Sequence, residues 1–156
     1  MLRKRIAAMS RTCTSLHYHV IFGTKDRVPF LQTSWRARLH EYLGGVVSGL
    51  GAQPQGIGGV ADHVHLLLGL RATHCLSDVV REIKKASNAW IREEMREPLF
   101  SWQEGYAAFT VSATSREGVI HYIANQEQHH RRRDYRAELI DMLKIARVDF
   151  DAEYIG

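Results

Sequence analysis

Apolar positions recur along this chain with two different periods, and the exchange of one for the other marks its elements. From Thr14, the stretch TSLHYHVIFGTK alternates and is rich in β-branched and aromatic residues, which predicts a strand closed by Gly23. In LQTSWRARLHEYLGGVVSGLG the period lengthens, with Trp35, Leu39, Tyr42, Leu43 and Val46 at helical spacing and Thr33 or Ser34 available as N-cap. The apolar runs of GAQPQGIGGVADHVHLLLGL are too short and too interrupted by glycine for a helix, and predict two strands joined by a turn. SDVVREIKKASNAWIREEM returns to helical spacing through Val79, Val80, Ile83, Ala86, Trp90 and Ile91, with Ser77 as candidate cap and Pro98 marking the exit. YAAFTVSA predicts a last core strand. TSREGVIHYIANQEQHHRRRDY predicts one helix, capped by Thr114 or Ser115 with Glu117 completing a rough capping box. A short amphipathic helix and an extended end follow. The order βαββαβα predicts an α+β fold, one antiparallel sheet covered by helices in a ferredoxin-like layout.

A chain of 156 residues, 45% of them apolar, suffices for one domain with a real core and leaves little room for a second. Lys and Arg outnumber Asp and Glu by 21 to 17, a balance that permits nucleic-acid binding without proving it. Cys13 and Cys75 form no CxxC pair, which argues against a disulfide framework or a thiolate zinc site and fits a reducing, cytoplasmic setting. No apolar run approaches the ~20 residues of a membrane span, and MLRKRIAAMSRTC reads as a basic tail suited to phosphate rather than a signal peptide.

The chemistry begins with HxH. In a strand, residues i and i+2 share a face, so His63 and His65 stand side by side while Val64 and Leu66 enter the core. Two adjacent imidazoles can share a divalent cation, yet the same spacing also describes a solvated strand face. A rival pair, His17 and His19, lies on the first predicted strand, and spacing cannot choose between the two. Context favours the second pair, because Asp62 precedes it as a possible acceptor for a ligand imidazole and Leu66, Leu67 and Leu68 anchor it.

Tyr122 and Gln126 are spaced i, i+4 and would share one helix face. A tyrosine hydroxyl can attack phosphorus and an amide oxygen can ligate magnesium or manganese, but a rim-exposed core aromatic beside a surface amide has the same spacing. After them HHRRRDYR sets four arginines against one aspartate. Arg131, Arg132 and Arg133 therefore form a candidate phosphate-binding edge, which Lys84 and Lys85 would extend if they faced the same groove; a solvated basic face is the alternative. Trp102 and Tyr106 could stack on unpaired bases, although the apolar PLFSW stretch around Trp102 equally suits a packed core.

Taken together, YHVIFGTK, DHVHLLL, FSWQEGYAAFTVS and YIANQEQHH occur in the order and approximate spacing of the single-tyrosine HUH transposases of small insertion sequences, the IS200-like transposases, and the chain resembles that family from about Ser15 to Arg131. The closing VDFDAEYIG looks like the tail of REP-associated tyrosine transposases. The resemblance divides the chain into a basic tail (1–13), a transposase domain (14–134) and a C-terminal helix with extended tail (135–156). It implies His63, His65 and Gln126 as ligands of Mg2+ or Mn2+, and Tyr122 as the nucleophile that cleaves and rejoins single-stranded hairpin DNA through a 5′-phosphotyrosine. It also implies a homodimer in which the tyrosine helix can meet the partner's histidines, working beside the nucleoid. Since a neutral phenol with a pKa near ~10 attacks poorly, a cation or a base such as His121 or Lys85 must help. A palindrome-binding regulator without cleavage activity is the competing reading. A replication-initiator nuclease with the same motif is less apt, since such proteins usually carry further domains.

Overall fold

The computed structural model describes residues 12–155, so the predicted basic tail lies outside them apart from Thr12 and Cys13. Four strands form one antiparallel sheet in the order β2-β3-β1-β4, the ferredoxin-like arrangement. They are β1 (His17–Gly23), β2 (Gln53–Gly59), β3 (His63–Gly69) and β4 (Ala107–Val111), and the helices are α1 (Thr33–Gly49), α2 (Leu76–Glu94), α3 (Arg116–Ala124), α4 (Gln126–His130) and α5 (Tyr135–Ile145). Among the described residues no helix is long and apolar enough to cross a membrane.

Strand alternation assigns the two faces. Val20 and Phe22 of β1 and Val64, Leu66 and Leu68 of β3 turn to one side, where α1 covers them with Trp35, Leu39, Leu43 and Val47, and α2 with Val79, Val80, Ile83 and Ile91. This is the main core. The opposite face carries His19 and Ile21 of β1 and His63 and His65 of β3, and there Tyr135, Leu139 and Leu143 of α5 pack on Ile21. β3 is central and wholly buried, as its apolar run anticipates.

β2 is an edge strand, which accommodates Pro54 and a register irregularity between Pro54 and Gly56. Its glycines let α3 approach closely: a Cβ on Gly58 would lie 2.5 Å from the Ile123 carbonyl oxygen. The sparse side chains of QGIGG therefore seat the helix that carries Tyr122.

Several local expectations are corrected. β4, expected in the core, is an edge strand and only half buried, because the pairing order leaves one of its sides free. The predicted single helix over Tyr122 and Gln126 breaks at Asn125, whose φ of −103° and ψ of 21° end α3; the Asn125 side chain donates back to the His121 carbonyl at 2.8 Å, competing with helix continuation. No side-chain cap or capping box forms at α3, since the Ser115 hydroxyl is engaged with Ser112. Gln32 and Cys75, rather than Thr33, Ser34 or Ser77, precede α1 and α2. Trp102 is a core residue: its indole donates to Ser87 Oγ at 2.9 Å and its ring meets Phe22 and Phe100 edge-on, so it has no face to offer a base.

Candidate active site

The two HxH pairs, rivals on spacing, belong to one cluster. Antiparallel pairing sets Ile21 opposite His65 and Gly23 opposite His63, which brings His19 diagonally next to His65. The solvated-face reading is excluded, because His63 and His65 are both 0% exposed. His63 Nδ1–H donates to Asp62 Oδ1 at 2.7 Å, the role foreseen for Asp62, and the Nε2 lone pair is thereby directed inward. His65 Nδ1 and His19 Nε2 are hydrogen-bonded at 2.8 Å, which turns the His65 Nε2 inward. Tyr135 stacks on His63, ring centroids 4.3 Å apart and planes 20° from parallel, and fixes that ring from the other side.

Glu138 of α5, which drew no attention in the sequence, stands at the centre. His65 Nε2 lies 2.9 Å from its Oε1, and His130 Nε2 lies 2.6 Å from its Oε2. His130 Nε2 is also 3.1 Å from His63 Nε2. Burial chiefly holds the His19 imidazole down at about 3 and that of His65 at about 4, so both are neutral. Burial works to raise the Glu138 carboxyl, but His130 and His65 outweigh it and hold the group well below the usual carboxylate range. Burial also opposes protonation of His130, yet the Glu138 carboxylate raises that imidazole above its ordinary value.

Tyr122 reaches the same cluster. Its ring centroid is 5.1 Å from that of His129, 5.8 Å from His65 and 6.2 Å from His19. Burial first, then the Glu138 carboxylate, push its hydroxyl well above the ordinary phenol value, so the free protein holds it protonated. Gln126 is buried beside it despite the break at Asn125, its amide Nε2 lying 3.5 Å from the Tyr122 carbonyl oxygen. Of the proposed bases, His121 is exposed and held by Asn125, while Lys85 is exposed on α2, the helix that covers the other face of the sheet.

The polar atoms that face inward suit a divalent cation. His65 Nε2, Gln126 Oε1 and both Glu138 oxygens are buried without an aligned hydrogen bond, although the imidazoles approach the carboxylate closely. Ring nitrogens and carboxylate oxygens that converge this closely are what a divalent cation would draw together. Ligand atoms of His63, His65, His130 and Glu138 all lie within 4.8 Å of one another, a set able to hold a metal ion.

A cavity of about 1000 Å³ opens outside the cluster, lined by Tyr122, His121, His129, Arg131, Arg132 and Arg133, with Gly118, Asn125 and Gln128, and by no acidic residue. Arg133 pairs with Asp141, whereas Arg131 and Arg132 have no ion-pair partner among the described residues. The candidate basic residues thus divide. Lys84, on the opposite side of the sheet, donates to the carbonyls of Gln103, at 3.0 Å, and Gly105 and lies over the Phe22 ring, and burial lowers its ammonium to about 8.

Comparison with known proteins decides the affiliation. The model of the family described as Transposase IS200 like matches residues 12–126. The chain belongs to the IS200-like transposase family. The ISDra2 transposase TnpA of Deinococcus radiodurans is 28% identical over 117 residues, covering 71% of this chain and 84% of that protein. The crystal structure of a candidate transposase from Deinococcus radiodurans superposes with a TM-score of 0.61 at 28% identity, over 81% of this chain and 98% of that one. A REP-associated tyrosine transposase bound to a REP hairpin shares the fold, with a TM-score of 0.58 at 16% identity over 80% of this chain and 74% of that one. Membership in the IS200-like family implies DNA-cleaving activity. His130 and Glu138 lie beyond the segment that the family model matches.

Proposed function

We propose that this IS200-like transposase cleaves and rejoins single-stranded hairpin DNA by covalent catalysis at Tyr122, with a divalent cation on His63, His65 and Gln126. The observation that carries the reading is the position of Tyr122, between the buried histidine cluster and the arginine-lined cavity. The fold shared with a transposase bound to a REP hairpin supports a hairpin as the substrate class and a REP-associated subtype.

In this mechanism Arg131 and Arg132 hold backbone phosphates at the cavity wall. A cation held by His63, His65 and Gln126 would supply Lewis-acid polarisation of the scissile phosphate and lower the cost of charge on the attacking oxygen. Tyr122 Oη attacks phosphorus, the bond from phosphorus to the 3′ oxygen breaks, and that oxygen leaves as a 3′-hydroxyl after taking a proton. The 5′-phosphate remains esterified to the tyrosine, and attack by a 3′-hydroxyl reverses the step, so joining needs no ATP. His129, the imidazole ring nearest Tyr122, receives the phenol proton and returns it to the departing 3′ oxygen. Asp62 and His19 keep His63 and His65 in the tautomers that present Nε2. The protein works in the cytoplasm beside the nucleoid and as a homodimer, each Tyr122 serving the histidines of its own chain, next to which it already lies.

Incubation of the protein with end-labelled hairpin single strands and Mg2+ or Mn2+ tests the reading. Wild type forms a covalent adduct that resists denaturation, and Tyr122→Phe forms none while still binding the hairpin. Binding without any adduct by wild type would favour the palindrome-binding regulator.

A further inference from the structure

Resting on that reading, we propose that helices α4 and α5 complete the cation site: His130 and Glu138 join His63, His65 and Gln126, and the site takes a divalent transition cation such as Mn2+ or Co2+ in preference to Mg2+. The four imidazole and carboxylate side chains present ligand atoms within 4.8 Å of one another, from three separate parts of the chain. Glu138 is 3% exposed, and its two oxygens lie 2.9 Å from His65 Nε2, 2.6 Å from His130 Nε2 and 3.2 Å from His129 Nε2, so the carboxylate stands where imidazole nitrogens converge. His63 and His65 are each held from behind, by Asp62 and His19, as ligand imidazoles commonly are. Tyr135 and Leu139, which flank Glu138 on α5, are packed against the sheet, so the carboxylate is delivered by a fixed element.

Three imidazoles and one carboxylate form a donor set that is rich in nitrogen. Mg2+ is a hard ion that favours oxygen and sheds its waters reluctantly, whereas Mn2+ and Co2+ accept imidazole readily.

Co2+ titration of the full chain without DNA, followed by visible absorption, tests the ligand set apart from catalysis. Glu138→Gln should weaken Co2+ binding by about 100-fold or more, since even outer partners of ligands cost ~10–100-fold. His130→Ala should weaken it comparably, and millimolar Mg2+ should not displace the ion. Unchanged affinity in Glu138→Gln or His130→Ala, or displacement by Mg2+, would overturn the proposal. Should Glu138→Gln fail to fold, pulsed electron paramagnetic resonance of wild type with Mn2+ decides: three imidazole nitrogens uphold the set and two overturn it. A wild type that forms the tyrosine adduct while Glu138 proves irrelevant to Co2+ defeats this inference alone. A wild type that needs Glu138 for Co2+ but forms no adduct defeats the strand-transfer reading alone.

Discussion

His19→Leu is the most informative single change. The ring it removes is buried at 3% exposure and is hydrogen-bonded through Nε2 to His65 Nδ1 at 2.8 Å. Leucine fills a comparable volume, so the main loss is the hydrogen-bond partner of His65. A buried donor or acceptor left unpaired costs about 1–3 kcal/mol, which sets the expected fall in unfolding free energy by urea titration. The second effect is specific to function, because without His19 the His65 ring is no longer held in the tautomer that presents Nε2. Loss of such an outer partner weakens cation binding by about 10–100-fold, equivalent to about 1.4–2.8 kcal/mol. Co2+ titration measures this directly, and His19→Gln, whose amide can make the same bond, should recover part of the affinity. If His19→Leu loses stability but binds Co2+ as wild type does, His19 is a packing residue and the paired-strand account of the site fails. If His63→Ala leaves cleavage intact while His19→Ala abolishes it, the wrong pair has been assigned to the cation.

The remaining expectations concern charge, docking and subunit arrangement. Lys84→Met deprives the Gln103 and Gly105 carbonyls of their donor and should lower stability by about 1–3 kcal/mol without changing the salt dependence of DNA binding, whereas Arg131→Gln should reduce the slope of log affinity against log salt by about 0.7. Gly58→Ala places a methyl against the Ile123 carbonyl, so the rate of adduct formation should fall while the sheet still folds, as circular dichroism would show. Equimolar Tyr122→Phe and His63→Ala should remain inactive when mixed, and recovery of cleavage in the mixture would place the tyrosine against the other subunit's histidines. Burial, reinforced by repulsion from Arg36, lowers His40 to about 4 from an unfolded value of 6.5. The unfolded chain therefore binds the proton first on acidification, and stability is lost as pH falls from 6.5 toward 4, by at most about 3 kcal/mol from this residue. His40→Leu should flatten that limb of the curve of stability against pH.

The alternation of HVHLLL announces both a central strand and a shared face for His63 and His65, and Asp62 is adjacent enough in sequence for its role to be read directly. The relation of His19 to His65 depends on register between strands 46 residues apart, so spacing presents the two pairs as alternatives when pairing makes them partners. The break after α3 carries no proline or glycine; it follows from the Asn125 amide turning onto the His121 carbonyl, a choice that helical periodicity does not encode. Glu138 looks like any acidic residue on an amphipathic helix. Only the docking of Tyr135 and Leu139 turns it inward, and that docking is a tertiary property of a segment beyond the matched family core. Lys84 misleads for a related reason, since its positive charge suggests an anion while its neighbours in space are carbonyl oxygens.

The pairing of β1 with β3 makes the reactive centre a matter of odd and even positions. Inserting one residue into β1 ahead of His19 would leave the backbone ladder able to form, yet send His19 and Ile21 beneath α1 and α2 and lift Val20 and Phe22 toward Tyr122. Such a chain could retain a sheet and lose both its imidazole relay and the apolar seat of α5 at once. Deletions and insertions in this strand should therefore be tolerated in steps of two far better than in steps of one, a rule of inheritance written into the pleat itself.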